Sequence, residues 1–422
     1  VKWKLRKPFV VILGAIMTLT TLSAASAANT NTTTPDSYDI VALGDSLTVG
    51  YEQKMTEKSI PYGYVDRLYE QALFHGRADI SNYGIIGLTT PGLNQLLQGA
   101  AGGKKLKAAD LQDFSPYPAA ASVQADSVAA IAPEIATKLA TADLVVMTIG
   151  GNDFGTFIKK VLKLPAETAK QSIQDEFDTT MNEYTTELNT TIRQLHELAP
   201  NAQIVLSDQY LPLWSTHALY PELLLAVDKL ANHLDDVAEQ FIQAGIPVKV
   251  AHISPAFKGK ELSYTYVNGF DYDNHPKQQG YEVIAKAFAE VIWKSYLQPA
   301  PRAADVPLSV IVNGKELLST PILKNDTTFI ALREVATAVS ADVEWIEKTK
   351  TAIFRKDGVE VAITIGADQL YVNGAAKDLR VPAYLAVIDN QKKTYVPLAA
   401  IADGLNYQVI YRSQLKTAFI NP

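Results

Sequence analysis

The chain contains no cysteine in its 422 residues. This excludes disulfides, thiolate metal sites and a lipidated N-terminal Cys, so an exported form would be either free or held noncovalently. Histidine is scarce at six residues, and with no His-x-x-x-His pair or Cys cluster, metal-dependent hydrolysis lacks its ligands. A basic surplus is also missing: 38 Lys and Arg against 45 Asp and Glu give a net charge of −7, which argues against a nucleic-acid partner. Beyond the first thirty residues no apolar run is long enough to suggest a membrane span.

The first thirty residues have a different layout. Lys2, Lys4, Arg6 and Lys7 precede an uncharged stretch, Pro8 to Leu22, followed by Ala25-Ser26-Ala27. That is the arrangement of an export signal. As a helix the uncharged stretch would reach only roughly 22 Å, short of a ~30 Å hydrocarbon core, so residues 1–27 are expected to be a cleaved signal and not an anchor. Val1 in place of an initiator Met fits a non-ATG start codon. Residues 28–37, with their Thr/Asn tract, have no apolar period and read as a flexible spacer. Loss of the four basic residues leaves 34 against 45, a net charge of −11, for a secreted or surface-associated bacterial protein.

Short apolar runs rich in β-branched residues at Tyr38 to Leu43, Ile80 to Tyr83, Leu144 to Ile149, Ile204 to Leu206 and Pro247 to His252 read as buried strands. Helical stretches separate them, the clearest at Ala169 to Leu198, Glu222 to Ala244 and Gln279 to Tyr296. Alternation of this kind implies an α/β fold with a parallel sheet covered on both faces, whose ligands bind beyond the carboxyl ends of the strands.

Residues 298–307 are Pro/Ala-rich and read as a linker. After them the sequence repeats. Phe329-Ile330-Ala331-Leu332 matches Tyr395-Val396-Pro397-Leu398, Val343-Glu344-Trp345 matches Val409-Ile410-Tyr411, and Lys350-Thr351-Ala352 matches Lys416-Thr417-Ala418, each pair 66 positions apart. A constant offset over three stretches predicts a two-fold repeated α+β module over residues 308–422. Each copy is expected to carry an Asn-Gly turn (Asn313-Gly314, Asn373-Gly374), a short helix after Leu332 or Leu398, and a closing strand pair. The arrangement resembles the domain named for the N-terminal region of copper amine oxidases, but a segment with neither His nor Cys has nothing suited to copper. Contact with a cell wall or surface is the candidate role for this module.

Four islands carry the chemistry. Ser46, in Gly44-Asp45-Ser46-Leu47, follows a strand, so its backbone N–H can face a developing oxyanion; Asp and Ser are also ordinary helix N-caps. Gly87 leaves a strand where the backbone can approach a substrate closely. Asn152, in Gly150-Gly151-Asn152-Asp153, brings an amide to the same cleft. His275, in Asp271-Tyr272-Asp273-Asn274-His275, is of the residue type suited to take a proton from a serine hydroxyl, and a nearby carboxylate would fix its tautomer.

Over about Tyr38 to Leu297, taken here as residues 38–297, these blocks resemble the SGNH, or GDSL, serine esterases and lipases, with Ser, Gly, Asn and His in order. The resemblance implies a flavodoxin-like three-layer α/β/α hydrolase. It makes Ser46 the nucleophile, His275 the base, and Ser46 N–H, Gly87 N–H and Asn152 Nδ2 the oxyanion hole, with no cofactor. That family usually places its acid three residues before the His, where this chain has Tyr272. Asp273 is preferred, because it shares the short loop that carries His275, with Asp271 as the alternative. An α/β-hydrolase elbow is disfavoured, since no Gly-x-Ser-x-Gly occurs.

The expected substrate is a small-molecule or lipid ester. Lipid or short-chain acyl esters are preferred because Ile85, Ile86, Leu88, Phe154 and Phe157 flank the oxyanion groups with apolar side chains. Gly99 to Pro133 is a candidate lid or pocket wall. The alternatives are a carbohydrate O-acetyl esterase, or a surface-binding protein with a vestigial hydrolase half.

Overall fold

The structure is a computed structural model and describes residues 36–56, 59–268, 273–388 and 391–422. The expected signal, most of the spacer, and Asp271 lie outside them. Five strands form one parallel sheet: β1 (Tyr38–Gly44), β2 (Ala78–Gly84), β3 (Leu144–Thr148), β4 (Gln203–Ser207) and β5 (Val248–Ala251), in the order β2-β1-β3-β4-β5. This is the doubly wound, flavodoxin-like order, whose switch point lies between β1 and β3.

Side chains alternate across the sheet, as a strand period of two requires. Val41, Leu43, Val145 and Met147 face one core layer, while Ile40, Ala42, Leu144 and Val146 face the other. The helices between and after these strands are α1 (Ser46–Val49), α2 (Tyr64–His75), α3 (Thr90–Ala101), α4 (Ala108–Leu111), α5 (Ala119–Ala129), α6 (Ala132–Ala140), α7 (Gly151–Val161), α8 (Ala166–Leu198), α9 (Tyr220–Gln243), α10 (Ser254–Phe257), α11 (Glu261–Tyr264) and α12 (Gln278–Trp293). Leu96 of α3, Ile135 of α6, Ile192 of α8 and Leu234 of α9 cover the first face. Leu68 of α2 and Phe288 of α12 cover the second, where Tyr64 stacks on Phe288 at 5.0 Å.

The three helices expected from periodicity are present with small shifts. Helix α8 begins at Ala166 because Pro165, which cannot continue a hydrogen-bonded turn before it, sits at its N-cap. Helix α12 stops at Trp293, short of the expected Tyr296, because Lys294 takes a left-handed conformation at its C-cap. Among the described residues no helix is long and apolar enough to cross a membrane.

The C-terminal part is mostly β. It comprises β6 (Ser309–Val312), β7 (Lys315–Glu316), β8 (Ile322–Lys324), β9 (Thr327–Ala331), α13 (Leu332–Ala338), β10 (Asp342–Ile346), β11 (Thr351–Lys356), β12 (Val359–Thr364), β13 (Gln369–Val372), β14 (Ala375–Asp378), β15 (Tyr384–Ile388), β16 (Gln391–Pro397), α14 (Leu398–Gly404), β17 (Gln408–Arg412) and β18 (Thr417–Asn421). The repeat is visible as a local dyad. Strand β9 pairs antiparallel with its own equivalent β16, so that Ile330 lies opposite Val396. The hairpins keep identical register, Val343 opposite Phe354 in one copy and Val409 opposite Ile420 in the other.

The Asn-Gly turns are not part of that symmetry. Asn313 and Asn373, both at positive φ, turn β6 into β7 and β13 into β14. The first of these hairpins adds to the second copy's sheet (β17-β18-β6-β7) and the second to the first copy's sheet (β10-β11-β12-β13-β14).

The second copy packs on α2. Phe419 meets Phe74 edge-on at 5.0 Å, and Asn421 Nδ2 donates to the carbonyls of Leu73 and Gly76 at 2.9 and 2.7 Å. Arg412 bonds Glu70 and Asp66 at 3.1 and 3.3 Å.

Candidate active site

Strand β1 ends at Gly44, whose φ of +134° and close approach to β3 leave no room for a side chain: a Cβ there would lie 2.0 Å from the Thr148 carbonyl oxygen. The next residue, Asp45, is the N-cap of α1, and its carboxylate accepts from Leu47 N at 3.0 Å. The capping role thus falls to Asp45, which leaves Ser46 as the first helical residue, just past the carboxyl end of β1 at the sheet's switch point.

His275 arrives from the loop before α12. Its carbonyl accepts from Tyr266 N at 2.9 Å, and the Thr265–Pro276 bridge fixes the turn beside it. The ring then lies between two partners: Nε2 is 2.8 Å from Ser46 Oγ, and Nδ1 is 2.7 Å from Asp273 Oδ1. The same Asp273 oxygen accepts from His275 N at 3.0 Å, so a carboxylate only two residues away reaches the ring by folding back over its own loop. Tyr51 packs edge-on against the imidazole at 4.6 Å.

Gly87 has a φ of +81°, and a Cβ on it would sit 2.7 Å from the Tyr117 ring. Its carbonyl accepts from Gln112 Nε2 at 2.9 Å. Asn152, in the first turn of α7, donates from Nδ2 to the Leu88 carbonyl at 2.9 Å, which leaves its other amide hydrogen for the cleft. Tyr117 OH lies 3.4 Å from Asn152 Oδ1. Asp153, the next residue, accepts from Thr90 N with both oxygens at 3.1 Å and ties α7 to the segment after Gly87.

Three carboxylates here differ in charge tendency. Burial pushes Asp45 up to about 7, although Leu47 N and Thr148 donate to it. Burial likewise pushes Asp153 up to about 6. For Asp273 burial also acts upward, but the ring and backbone N–H groups of His275, with the imidazole charge, outweigh it and hold the carboxyl below its usual range. Asp273 is therefore suited to face a developing imidazolium.

Ser46, Gly87, Asn152 and His275 all line one cavity of about 420 Å³. Asp273 stands behind the ring. Of the apolar residues expected beside the oxyanion groups, Ile86, Phe154 and Phe157 line this cavity. Ile85 and Leu88 do not; they turn into the core, fully buried, because β2 and α3 hold them under the sheet's first face. Within Gly99 to Pro133, Tyr117, Pro118, Ala120 and Ala121 contribute wall. Tyr51, Tyr117 and Gln209 also border the site, and no motif pointed to them.

The GDSL-like lipase/acylhydrolase family model matches residues 42–283, more than half of the chain. The chain belongs to that family. A copper amine oxidase N-terminal domain model matches residues 311–420 of this GDSL-family hydrolase. The uncharacterized protein YpmR of Bacillus subtilis (strain 168) is 22% identical over 291 residues, which cover 68% of this chain and 94% of YpmR. Among solved structures, a phospholipase A1 from Streptomyces albidoflavus NA297 is 16% identical with a TM-score of 0.40, covering 62% of this chain and 100% of that one. The lipase Lip_vut3 from a goat rumen metagenome is 19% identical with a TM-score of 0.38, covering 60% and 96%. A variant of an acetyl xylan esterase from Geobacillus stearothermophilus is 18% identical with a TM-score of 0.33, covering 62% and 97%.

Proposed function

We propose that this GDSL-family protein is an exported serine esterase that cleaves carboxylic esters, of the lipid or short-chain acyl kind, through an acyl-enzyme. The observation that carries the reading is the chain of contacts Asp273 to His275 to Ser46, at 2.7 and 2.8 Å. Export rests on the signal-like layout of Lys2 to Ala27.

In this reading Ser46 Oγ attacks the ester carbonyl carbon while its proton passes to His275 Nε2. The oxyanion is met by Ser46 N–H, Gly87 N–H and Asn152 Nδ2. Collapse of the tetrahedral adduct breaks the bond to the leaving oxygen, which takes the proton from Nε2. Water then attacks the acyl-enzyme, giving a proton to the same nitrogen, and the acid departs as Ser46 regains its hydrogen. Asp273 keeps the Nδ1–H tautomer and stabilises the imidazolium.

The test is turnover of an activated acyl ester by Ser46→Ala, with an expected fall in kcat of about 10⁶. Turnover by the folded variant close to that of the parent would end the reading.

A further inference from the structure

The cavity at Ser46 is larger than the catalytic groups need. From Ser46, Gly87 and Asn152 it continues between α7, α8 and α9, under the Tyr117–Ala121 segment. One face of α9 is turned into it: Leu223, Ala226, Val227 and Leu230, spaced three and four apart as a single helical stripe. Opposite stand Phe157 of α7 and Phe177 of α8, whose rings are 6.1 Å apart. Protein interiors close to crystalline density, and a void among apolar side chains costs stability in proportion to its volume. Leu223, Ala226 and Leu230 are otherwise packed into the core, and folding alone gives no reason for a cavity to open beside them. A preformed, apolar, concave space with a few polar groups gathered at one end is the form of a ligand site.

Resting on the esterase reading, we propose that this chamber is the acyl site and that the substrate is an ester of an unbranched acyl chain well beyond acetyl in length. The carbonyl lies at Ser46 Oγ, and the tail runs between α7 and α9, past Phe177 and Leu230. Catalytic cleft and chamber together measure about 420 Å³, far more than an acetyl group fills. A sugar directed inward would meet side chains without hydrogen-bonding groups, leaving its hydroxyls unpaired. The leaving group therefore stays outside the chamber, on the Gln209 side of Ser46.

The experiment is a series of p-nitrophenyl esters from acetyl to palmitoyl, each below its aggregation limit, on the full chain and two variants. The value of kcat/KM should rise about fourfold per methylene until the chamber is filled and fall beyond. Ala226→Phe, which fills the chamber, should lose activity progressively with chain length and shift the maximum to shorter esters. Phe177→Ala should shift it to longer ones, so the proposal stays testable if either variant folds poorly. Labelling of Ser46 by a small fluorophosphonate reports that the machinery is intact in each. A profile that is flat or highest at acetyl, or variants that label normally yet keep the parental profile, would overturn the chamber assignment while leaving the esterase reading in place. No turnover of any ester by the parent, with no labelling, would strike the esterase reading itself.

Discussion

Asp273 holds His275 twice with one oxygen, 2.7 Å from ring Nδ1 and 3.0 Å from the backbone N–H. The carboxylate thus sets both the turn that presents the histidine and the tautomer of its ring. Asp273→Asn would keep most of the shape while presenting an amide where an acceptor is needed, and kcat should fall by about 10⁴. The comparison is Asp271→Asn, expected to turn over at close to the parental rate. Equal losses in the two variants would contradict the assignment of the acid. The carboxyl of Asp273 is held below its usual range, so its contribution to stability is present above about pH 4 and lost only as pH falls through its lower folded-state value.

Asp45 behaves in the opposite sense. Burial raises it to about 7, so between about pH 4 and 7 the folded chain keeps a proton that the unfolded chain has released. Its contribution to stability is then fully present below about pH 4 and lost as pH rises through about 7. Asp45→Asn removes this titration, and the Tm of the variant relative to the parent should climb between pH 4 and 8 in thermal melts. A Tm difference constant over that range would show that Asp45 does not titrate there.

Gly87 can hold its left-handed φ without strain, and any Cβ on it would meet the Tyr117 ring. Gly87→Ala should push the segment or the ring aside and misalign an oxyanion donor. A loss of roughly 10²–10³ in kcat is expected, with KM much less affected and the circular dichroism unchanged. A kcat equal to that of the parent would remove the Gly87 N–H from the oxyanion hole.

The second repeat copy is packed into the hydrolase fold through Phe419, which contacts Phe74 in the core beneath β1. Phe419→Ala should destabilise the protein by about 3–5 kcal/mol, and both parent and variant should melt in one cooperative transition in calorimetry. Two separate transitions, with the larger one unmoved by Phe419→Ala, would mean that the contact carries little energy.

Much of the sheet could be read from the chain because its inner strands β1, β3 and β4 are largely buried on both faces and so appear as apolar runs; β3, Leu144–Thr148, is buried throughout. Ser46 and Asn152 could be placed at strand ends by the glycines beside them, since only a backbone free to take positive φ, as Gly44 and Gly150 do, turns there. Two other features left no local trace. Tyr117 acts on Gly87 and Asn152 through contacts set by packing, and nothing beside it in sequence signals them. Helix α9 was legible as a helix, but nothing in its sequence marks which of its core-facing residues also border a cavity. The short carboxylate offset at Asp273 could be preferred over Asp271 only on reach; the fold adds the backbone bond that makes such a tight loop hold its shape.

The most direct test of the account is the reaction of the folded protein with a fluorophosphonate, read by intact mass and peptide mapping. The expected result is a single adduct on Ser46, lost in Ser46→Ala and strongly slowed in His275→Ala. No adduct on folded protein, or an adduct on a different serine with labelling unchanged in His275→Ala, would contradict it.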